Sequence, residues 1–144
     1  MPLDDGAVYV VDCEACVACC RPNGNPLRPI FLGALGNGQL RFVRITLHEL
    51  RELDREEYRN LRDAGPHYVD ENDEFENVAG ALIELCPASL TRLQAMSSKI
   101  RVIAAAKLHN WPVLSGDAAT SATSMEPLCN MLGVPYVPHT EIGP

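Results

Sequence analysis

The sequence predicts an α/β domain built around a mainly parallel sheet, and three observations support this prediction. Short apolar runs rich in β-branched residues alternate along the chain with segments of helical periodicity. The first run, residues 7–11, is apolar throughout, which is typical of a strand buried on both faces of a parallel sheet. The composition, with 47% hydrophobic and 22% charged residues, is that of a globular protein. At 144 residues, we expect a single domain spanning 1–144.

The first strand is expected over 7–11, and Asp12 follows it directly. Residues 13–20 are small and apolar apart from Glu14, so they predict a short helix packed on the sheet. A run of Pro, Asn and Gly ends this helix. The Gly-rich stretch 29–40 is predicted to be a loop.

The alternating segment 41–45 predicts a second strand. Thr46 is expected to be the N-cap of the next helix, with Glu49 three residues later as the matching capping-box acid. That helix is expected over 47–64, where leucines recur at helical spacing, and a Gly-Pro pair ends it.

Helical patterns dominate the next part of the chain. The acid-rich segment 70–76 is expected to be a solvated turn that leads into a helix over 75–85. Ser89 is expected to cap a helix over 90–96, and a strong helical pattern follows over 100–109.

Two more strands are expected near the C-terminus. They are 112–114, which a Ser-Gly-Asp sequence ends, and 134–137, with a helix over 126–132 between them. The complete order alternates strands with helices, as in domains that cover a parallel sheet with helices.

Three carboxylates follow predicted strands. Asp12 comes directly after the first strand, Asp117 follows the strand 112–114, and Glu49 lies in the first turn of the helix after the second strand. Because ligands of parallel sheets bind beyond the carboxyl ends of the strands, we expect these side chains to converge. Carboxylates that gather in this way repel one another unless a cation joins them. The usual cations are Mg²⁺ and Mn²⁺, which activate water for phosphodiester hydrolysis.

Four segments resemble PIN-domain ribonucleases, a family that includes many toxins of bacterial and archaeal toxin–antitoxin pairs. The segment 8–12 is similar to the family's first strand and first acid, and 45–50 to the segment that bears its second acid. The segment 103–117 is similar to the helix, turn and strand before the last acid, and 133–137 to the closing strand. They occur in the family's order and span most of the chain.

The resemblance implies a three-layer α/β/α domain and a metal-dependent endoribonuclease that hydrolyses RNA phosphodiester bonds. Asp12, Glu49 and Asp117 would be its catalytic residues and would bind Mg²⁺ or Mn²⁺, directly or through water. The resemblance also implies an antitoxin protein and a second copy of the chain, in a homodimer, as partners.

One acid of the family pattern is missing. The family has a further acid at the start of the helix before the last acid, and this chain has Ser98, Lys99 and Ile100 there. Glu14 is an auxiliary candidate as replacement carboxylate, and Ser98 and Ser115 are auxiliary candidates for holding a metal-bound water. The alternative is a catalytically degenerate PIN-like domain that serves as a nucleic-acid-binding or protein-interaction module.

The chain carries 19 acidic and 12 basic residues, a net charge of -7. Nucleic-acid-binding domains are usually basic, so contact with RNA would come from a local patch or through metal ions. One face of the long predicted helix carries four arginines, Arg51, Arg55, Arg59 and Arg62. We favour a solvated face on which these arginines form salt bridges with nearby glutamates. The alternative is a phosphate-contacting edge beside Glu49, with Arg51 as the candidate RNA-binding residue.

The acidic N-terminus lacks the basic segment of a secretory signal. No apolar run approaches the roughly 20 residues of a membrane helix. We therefore expect a cytoplasmic protein without membrane association, in which the six cysteines are reduced.

Four of the cysteines are crowded together, at positions 13, 16, 19 and 20. A thiol-bound zinc ion or iron–sulfur cluster is one interpretation, because Cys-x-x-Cys spacing occurs in such sites. No second Cys-x-x-Cys or Cys-x-x-His follows in the sequence. We therefore favour the packing of small buried thiols against the sheet.

Overall fold

The computed structural model describes residues 6–21, 25–86, 94–117 and 124–142, with the backbone alone for 94–97. Within these ranges, five strands form one sheet in which every pairing is parallel. The strands are β1 (Tyr9–Val11), β2 (Leu40–Phe42), β3 (His67–Tyr68), β4 (Val113–Ser115) and β5 (Tyr136–Pro138). Their order across the sheet is β3-β2-β1-β4-β5, which puts β1 at the centre.

Helices cover both faces of this sheet. They are α1 (Cys13–Cys20), α2 (Leu27–Gly36), α3 (Arg44–Leu53), α4 (Arg55–Asp63), α5 (Asp73–Leu85), α6 (Gln94–His109) and α7 (Met125–Leu132), followed by a 3-10 turn at His139–Ile142. No helix in the described ranges is long and apolar enough to cross a membrane.

Alternation along β1 divides the apolar residues between two cores. Val10 faces one core, which the sheet forms with α5, α6 and α7. Tyr9 and Val11 face the other core, which the sheet forms with α1, α2, α3 and α4. Successive side chains of a strand point to opposite faces, so a central strand with helices on both sides is apolar throughout. The predicted α/β fold, with three α/β/α layers around a parallel sheet, is confirmed.

The helix predicted over 13–20 is confirmed, but the loop predicted over 29–40 is wrong. Much of that stretch belongs to α2 (Leu27–Gly36), in which Phe31 and Leu35 lie one turn apart and are both buried. The burial of this apolar face compensates for the low helix propensity of the glycines.

The cap predicted for the next helix is also wrong. The helix α3 begins at Arg44, and its N-cap is Val43, which has extended backbone and no capping side chain. Thr46 therefore lies inside α3, and Glu49 is not a capping-box acid. The start of this helix is positioned by the burial of Val43 and Leu47 and not by a side-chain cap.

The long helix predicted over 47–64 is two helices that meet at Asp54. The backbone of Asp54 is extended, with φ -155° and ψ 95°, and its N–H donates to the Leu50 carbonyl at 2.8 Å, which ends α3. Its carboxylate accepts a hydrogen bond from the Glu57 N–H at 3.2 Å, which starts α4. One aspartate thus ends the first helix and begins the second.

The elements of the C-terminal half agree with the sequence prediction to within a few residues, with one exception. The helix α6 begins at Gln94, six residues before the predicted start, and is continuous with the end of the separate helix expected over 90–96. The helix α7 ends at Gly133, whose φ of 76° is the left-handed conformation that favours glycine. The strand β3 was not predicted, because two residues are too few to show alternation. The predicted cap Ser89 and most of the helix expected over 90–96 lie outside the described residues.

All six cysteines are free and buried, so the expectation of reduced thiols is met. The four on α1 pack in the core between that helix and the sheet. Burial raises the pKa of the Cys13, Cys19 and Cys20 thiols to about 12. The favoured interpretation, packing of small thiols, is what the structure contains.

Candidate functional site

A small pocket of about 100 Å³ lies at the carboxyl ends of the central strands. We call it the carboxylate pocket, because Asp12, Glu14 and Glu49 line it. The other lining residues are Cys13, Thr46, Ser98, Lys99, Val102 and Met125. Three of the acids singled out in the sequence therefore come together, as does Ser98, although these residues lie on three separate helices or their caps.

Asp12 is the most firmly held of these acids. It is 4% exposed, and one carboxylate oxygen accepts hydrogen bonds from the Ala15 N–H at 2.8 Å and the Gly116 N–H at 3.1 Å. The hydroxyl of Ser115 donates to the other oxygen. Burial raises the pKa of Asp12, although these hydrogen bonds oppose the rise. Both oxygens are thus engaged within the protein.

Ser115 joins the strand β4 to two aspartates. Its hydroxyl donates to Asp12 and accepts a hydrogen bond from the backbone N–H of Asp117 at 3.0 Å. The sequence suggested that Ser115 holds a metal-bound water. In the structure, its hydroxyl fixes the side chain of Asp12 and the loop after β4, and its role toward a metal-bound water stays a prediction.

Asp117 forms an ion pair with Lys99. The Lys99 Nζ lies 3.0 Å from Asp117 Oδ2, and the two side chains are 19% and 10% exposed. The same oxygen accepts a hydrogen bond from the Met125 N–H at 3.0 Å, at the start of α7. Asp117 therefore contacts the carboxylate pocket through Lys99 and also stabilises a helix N-terminus.

Crowding of acids changes the chemistry of Glu14. Desolvation, followed by the charges of Asp12 and Asp117, raises the pKa of Glu14 to about 7, and Lys99 opposes this rise. Glu49, on α3, also lines the pocket. Together with burial, its charge helps to raise the pKa of Cys13 to about 12. The pocket is thus a region of negative potential that one ammonium group partly neutralises.

Sequence reasoning misassigned one residue of the pocket lining, Thr46, and missed the role of another, Lys99. Thr46, predicted to be a helix cap, is fully buried, and its hydroxyl has no hydrogen-bond partner among the described residues. Lys99 was noted only as a departure from the family pattern. The spacing of Thr46 and Glu49, which puts both on one face of α3, is the signal that would have found Thr46.

The pocket has the oxygen donors that Mg²⁺ and Mn²⁺ prefer, but their arrangement does not fit such an ion. No group of three His, Cys, Asp or Glu side chains in the described part of the chain would hold a metal ion. Both oxygens of Asp12 are engaged, and Asp117 is paired with Lys99. The positive charge that offsets repulsion between the acids is supplied by Lys99.

A second depression, of about 220 Å³, lies between α3 and α4. We call it the arginine groove, because its lining residues are Arg51, Arg55, Tyr58, Arg59 and Arg62. The prediction of salt bridges to glutamates is wrong: of these four arginines, only Arg62 forms an ion pair within the described ranges, with Asp63 at 3.3 Å. Glu57, one of the nearby glutamates, is buried at the start of α4, and Arg62 pairs with the neighbouring Asp63.

Comparison with known proteins does not assign the chain to a family. No family model matches the chain, and no curated protein matches it significantly. The argument for a function therefore depends on the carboxylate pocket and the arginine groove.

Proposed function

We propose that this chain is a catalytically degenerate PIN-like domain, a module that binds RNA and no longer cleaves it with metal ions. The observation that carries the proposal is the ion pair between Lys99 and Asp117. Lys99 occupies the region where the resemblance expects a further acid. An ammonium group thus replaces a carboxylate in the pocket.

The charge of Lys99 explains why the acids of the pocket tolerate one another. Four carboxylates, those of Asp12, Glu14, Glu49 and Asp117, lie in or next to the pocket. A nearby cation favours the ionised form of each, and Lys99 has this effect on Glu14. A divalent ion bound by both aspartates would have to compete with Lys99 for Asp117 and to approach Asp12 through Oδ2, which already accepts the Ser115 hydrogen bond. The native arrangement therefore disfavours metal binding.

The arginine groove supports the RNA-binding part of the proposal. A protein with a net charge of -7 needs a local basic patch to attract a phosphate backbone. The groove provides such a patch, since four guanidinium groups line it. Arginine forms bidentate contacts with phosphate oxygens.

A second candidate function is the metal-dependent endoribonuclease, with Asp12, Glu49 and Asp117 as its catalytic residues. Crowding of acids favours it, because the pKa of Glu14 is raised to about 7 by burial and by neighbouring carboxylates. Such crowding is common where a protein binds a cation. This candidate requires Lys99 to release Asp117.

Calorimetric titration with Mn²⁺ separates the two candidates. The proteins to compare, after treatment with chelator, are wild type, Lys99→Asp and Lys99→Met. We expect no binding to wild type, binding to Lys99→Asp that disappears when Asp12→Asn is added, and no binding to Lys99→Met. The methionine variant is the matched control, because it removes the ammonium group without adding a ligand.

The same proteins are then incubated with labelled RNA and Mn²⁺. We expect cleavage by Lys99→Asp alone. If wild type binds Mn²⁺ and cleaves RNA, and Asp12→Asn abolishes both, the endoribonuclease is correct and the degenerate module is wrong.

A further inference from the structure

The arginine groove is concave because two helices form it. Arg51 comes from the last turn of α3, and Arg55, Arg59 and Arg62 come from α4. On one continuous helix these side chains would form a straight stripe along a convex surface. The break at Asp54 instead brings them around a single depression of about 220 Å³.

The positive charges of the groove arginines have few ion-pair partners in the described part of the protein. Arg51, Arg55 and Arg59 are exposed, and none of them forms an ion pair within the described ranges. Like charges at this spacing repel one another unless an anion lies between them. Because guanidinium groups present paired N–H donors, a phosphate group is the anion that suits them best.

Aromatic side chains lie in and next to the arginine groove. Tyr58 lines the arginine groove and also a neighbouring depression, which it shares with Arg44, His48 and Tyr68. Tyr68 is 39% exposed, and the guanidinium of Arg44 lies 4.8 Å from the centre of its ring. The guanidinium of Arg62 likewise lies 5.7 Å from the centre of the Tyr58 ring. Basic grooves that carry aromatic side chains are typical of surfaces that bind single-stranded nucleic acid, where basic groups pair with phosphates and bases stack on the rings.

This surface adjoins the carboxylate pocket. His48 lines the tyrosine depression and also a third one, to which Glu49 contributes. Glu49 in turn lines the carboxylate pocket. Adjacent depressions therefore share Tyr58, His48 and Glu49 in succession, so a path leads from the arginine groove across α3 to the carboxyl ends of the strands.

We propose that this path binds single-stranded RNA, with backbone phosphates in the arginine groove and bases stacked on Tyr58 and Tyr68. The inference rests on the proposed function, because it names the site at which the module holds RNA. The negative potential of the carboxylate pocket repels phosphates, so the backbone is anchored at the arginine end of the path. Contacts of this kind give affinity with little sequence preference.

The test measures binding of a fluorescein-labelled oligouridine of about 15 nucleotides by anisotropy, over a range of salt concentrations. We expect Arg55→Ala/Arg59→Ala to weaken binding on the order of tenfold at about 50 mM salt and to reduce the salt slope by about 1.4, or about 0.7 for each lost phosphate contact. The matched control is Arg21→Glu, at the end of α1, which changes the net charge by the same amount and should leave the slope unchanged.

A second pair of variants tests stacking. Tyr68→Ala should weaken binding by about fivefold or more, whereas Tyr68→Phe, which keeps the ring, should bind like wild type. If wild type binds the RNA and neither the arginine pair nor Tyr68→Ala changes that binding, the site is wrong and the RNA-binding function stands. If wild type does not bind the RNA, the proposed function fails as well. Binding of a polyglutamate peptide in place of RNA would identify the groove as a protein-docking site and overturn the inference.

Discussion

Gly116 lies against the first turn of α1 so closely that a Cβ atom on it would come within 2.6 Å of the Ala15 backbone nitrogen. Its own N–H donates to Asp12 at 3.1 Å. The loop after β4 and the start of α1 are thus held together at the rim of the carboxylate pocket. Only a residue without a side chain allows this approach.

The substitution Gly116→Ala is therefore expected to destabilise the protein by about 2–3 kcal/mol, because backbone atoms must move to accept the methyl group. The matched control is Gly33→Ala, in the middle of α2, where an added Cβ would meet nothing within 4 Å. It is expected to stabilise the protein by about 0.5–1 kcal/mol, since alanine favours helix more than glycine does. Urea denaturation of both variants measures the difference. Equal stabilities would contradict the close approach.

Ser115 and Thr46 offer a contrast between a satisfied and an unsatisfied buried hydroxyl. Ser115→Ala removes a hydrogen bond to the buried carboxylate of Asp12, so a loss of about 1–3 kcal/mol is expected. Thr46→Val removes a hydroxyl that has no partner and should leave stability unchanged or increase it by about 1 kcal/mol. Thermal unfolding distinguishes the two outcomes. A Ser115→Ala protein as stable as Thr46→Val would mean that the Asp12 hydrogen bond contributes nothing.

Glu57 makes stability depend on pH. It is 3% exposed, and one of its carboxylate oxygens has no hydrogen-bond partner in the part of the chain that the structure describes. Burial raises its pKa, with Arg28 opposing, so the folded protein holds this proton more tightly than the unfolded chain. The contribution of Glu57 to stability is then lost as pH rises above the ordinary value of 4.5.

Glu57→Gln lacks this titration. The free energy of unfolding of the variant, relative to wild type, is expected to increase as the pH is raised from 4.5 to neutrality. The matched control is Glu84→Gln, a substitution of the same kind at an exposed position on another helix, α5. A Glu57→Gln difference that stays constant with pH would show that Glu57 titrates as it does in the unfolded chain.

The buried thiols of α1 should resist alkylation. With their pKa raised to about 12, Cys13, Cys19 and Cys20 have very little thiolate at pH near 8, and thiolate is the reactive form. Mass spectrometry after iodoacetamide treatment is expected to find few modified cysteines in the native protein and all six in urea. Rapid modification of the native protein, or protection that a zinc chelator removes, would favour the thiol-metal interpretation.

The strands next to the site were predictable, because burial on both faces leaves a continuous apolar run such as residues 7–11. The convergence of Asp12 and Glu49 followed from the same prediction, since all parallel strands end at one edge. The helix break at Asp54 was not predictable in this way. Apolar periodicity continues on both sides of Asp54, and its double capping role depends on backbone dihedral angles that the pattern does not encode.

Lys99 shows a second limit of sequence reasoning. Its positive charge was evident, but its partner was not, because Asp117 lies 18 residues further on and approaches Lys99 only when α6 and β4 are packed together. Thr46 and Glu49 were mistaken for a capping box for a related reason. Capping motifs are local, whereas burial of neighbouring apolar residues positions the start of α3.

The hydrogen bond between Ser115 and Asp12 joins residues that are 103 positions apart. During synthesis, Ser115 is added 103 residues after Asp12. The hydrogen bond can form only when β4 pairs with β1, so the position of the Asp12 carboxylate depends on a strand that is distant in sequence. A truncation before β4 would leave β1 without this neighbouring strand and Asp12 without the Ser115 hydroxyl and the Gly116 N–H.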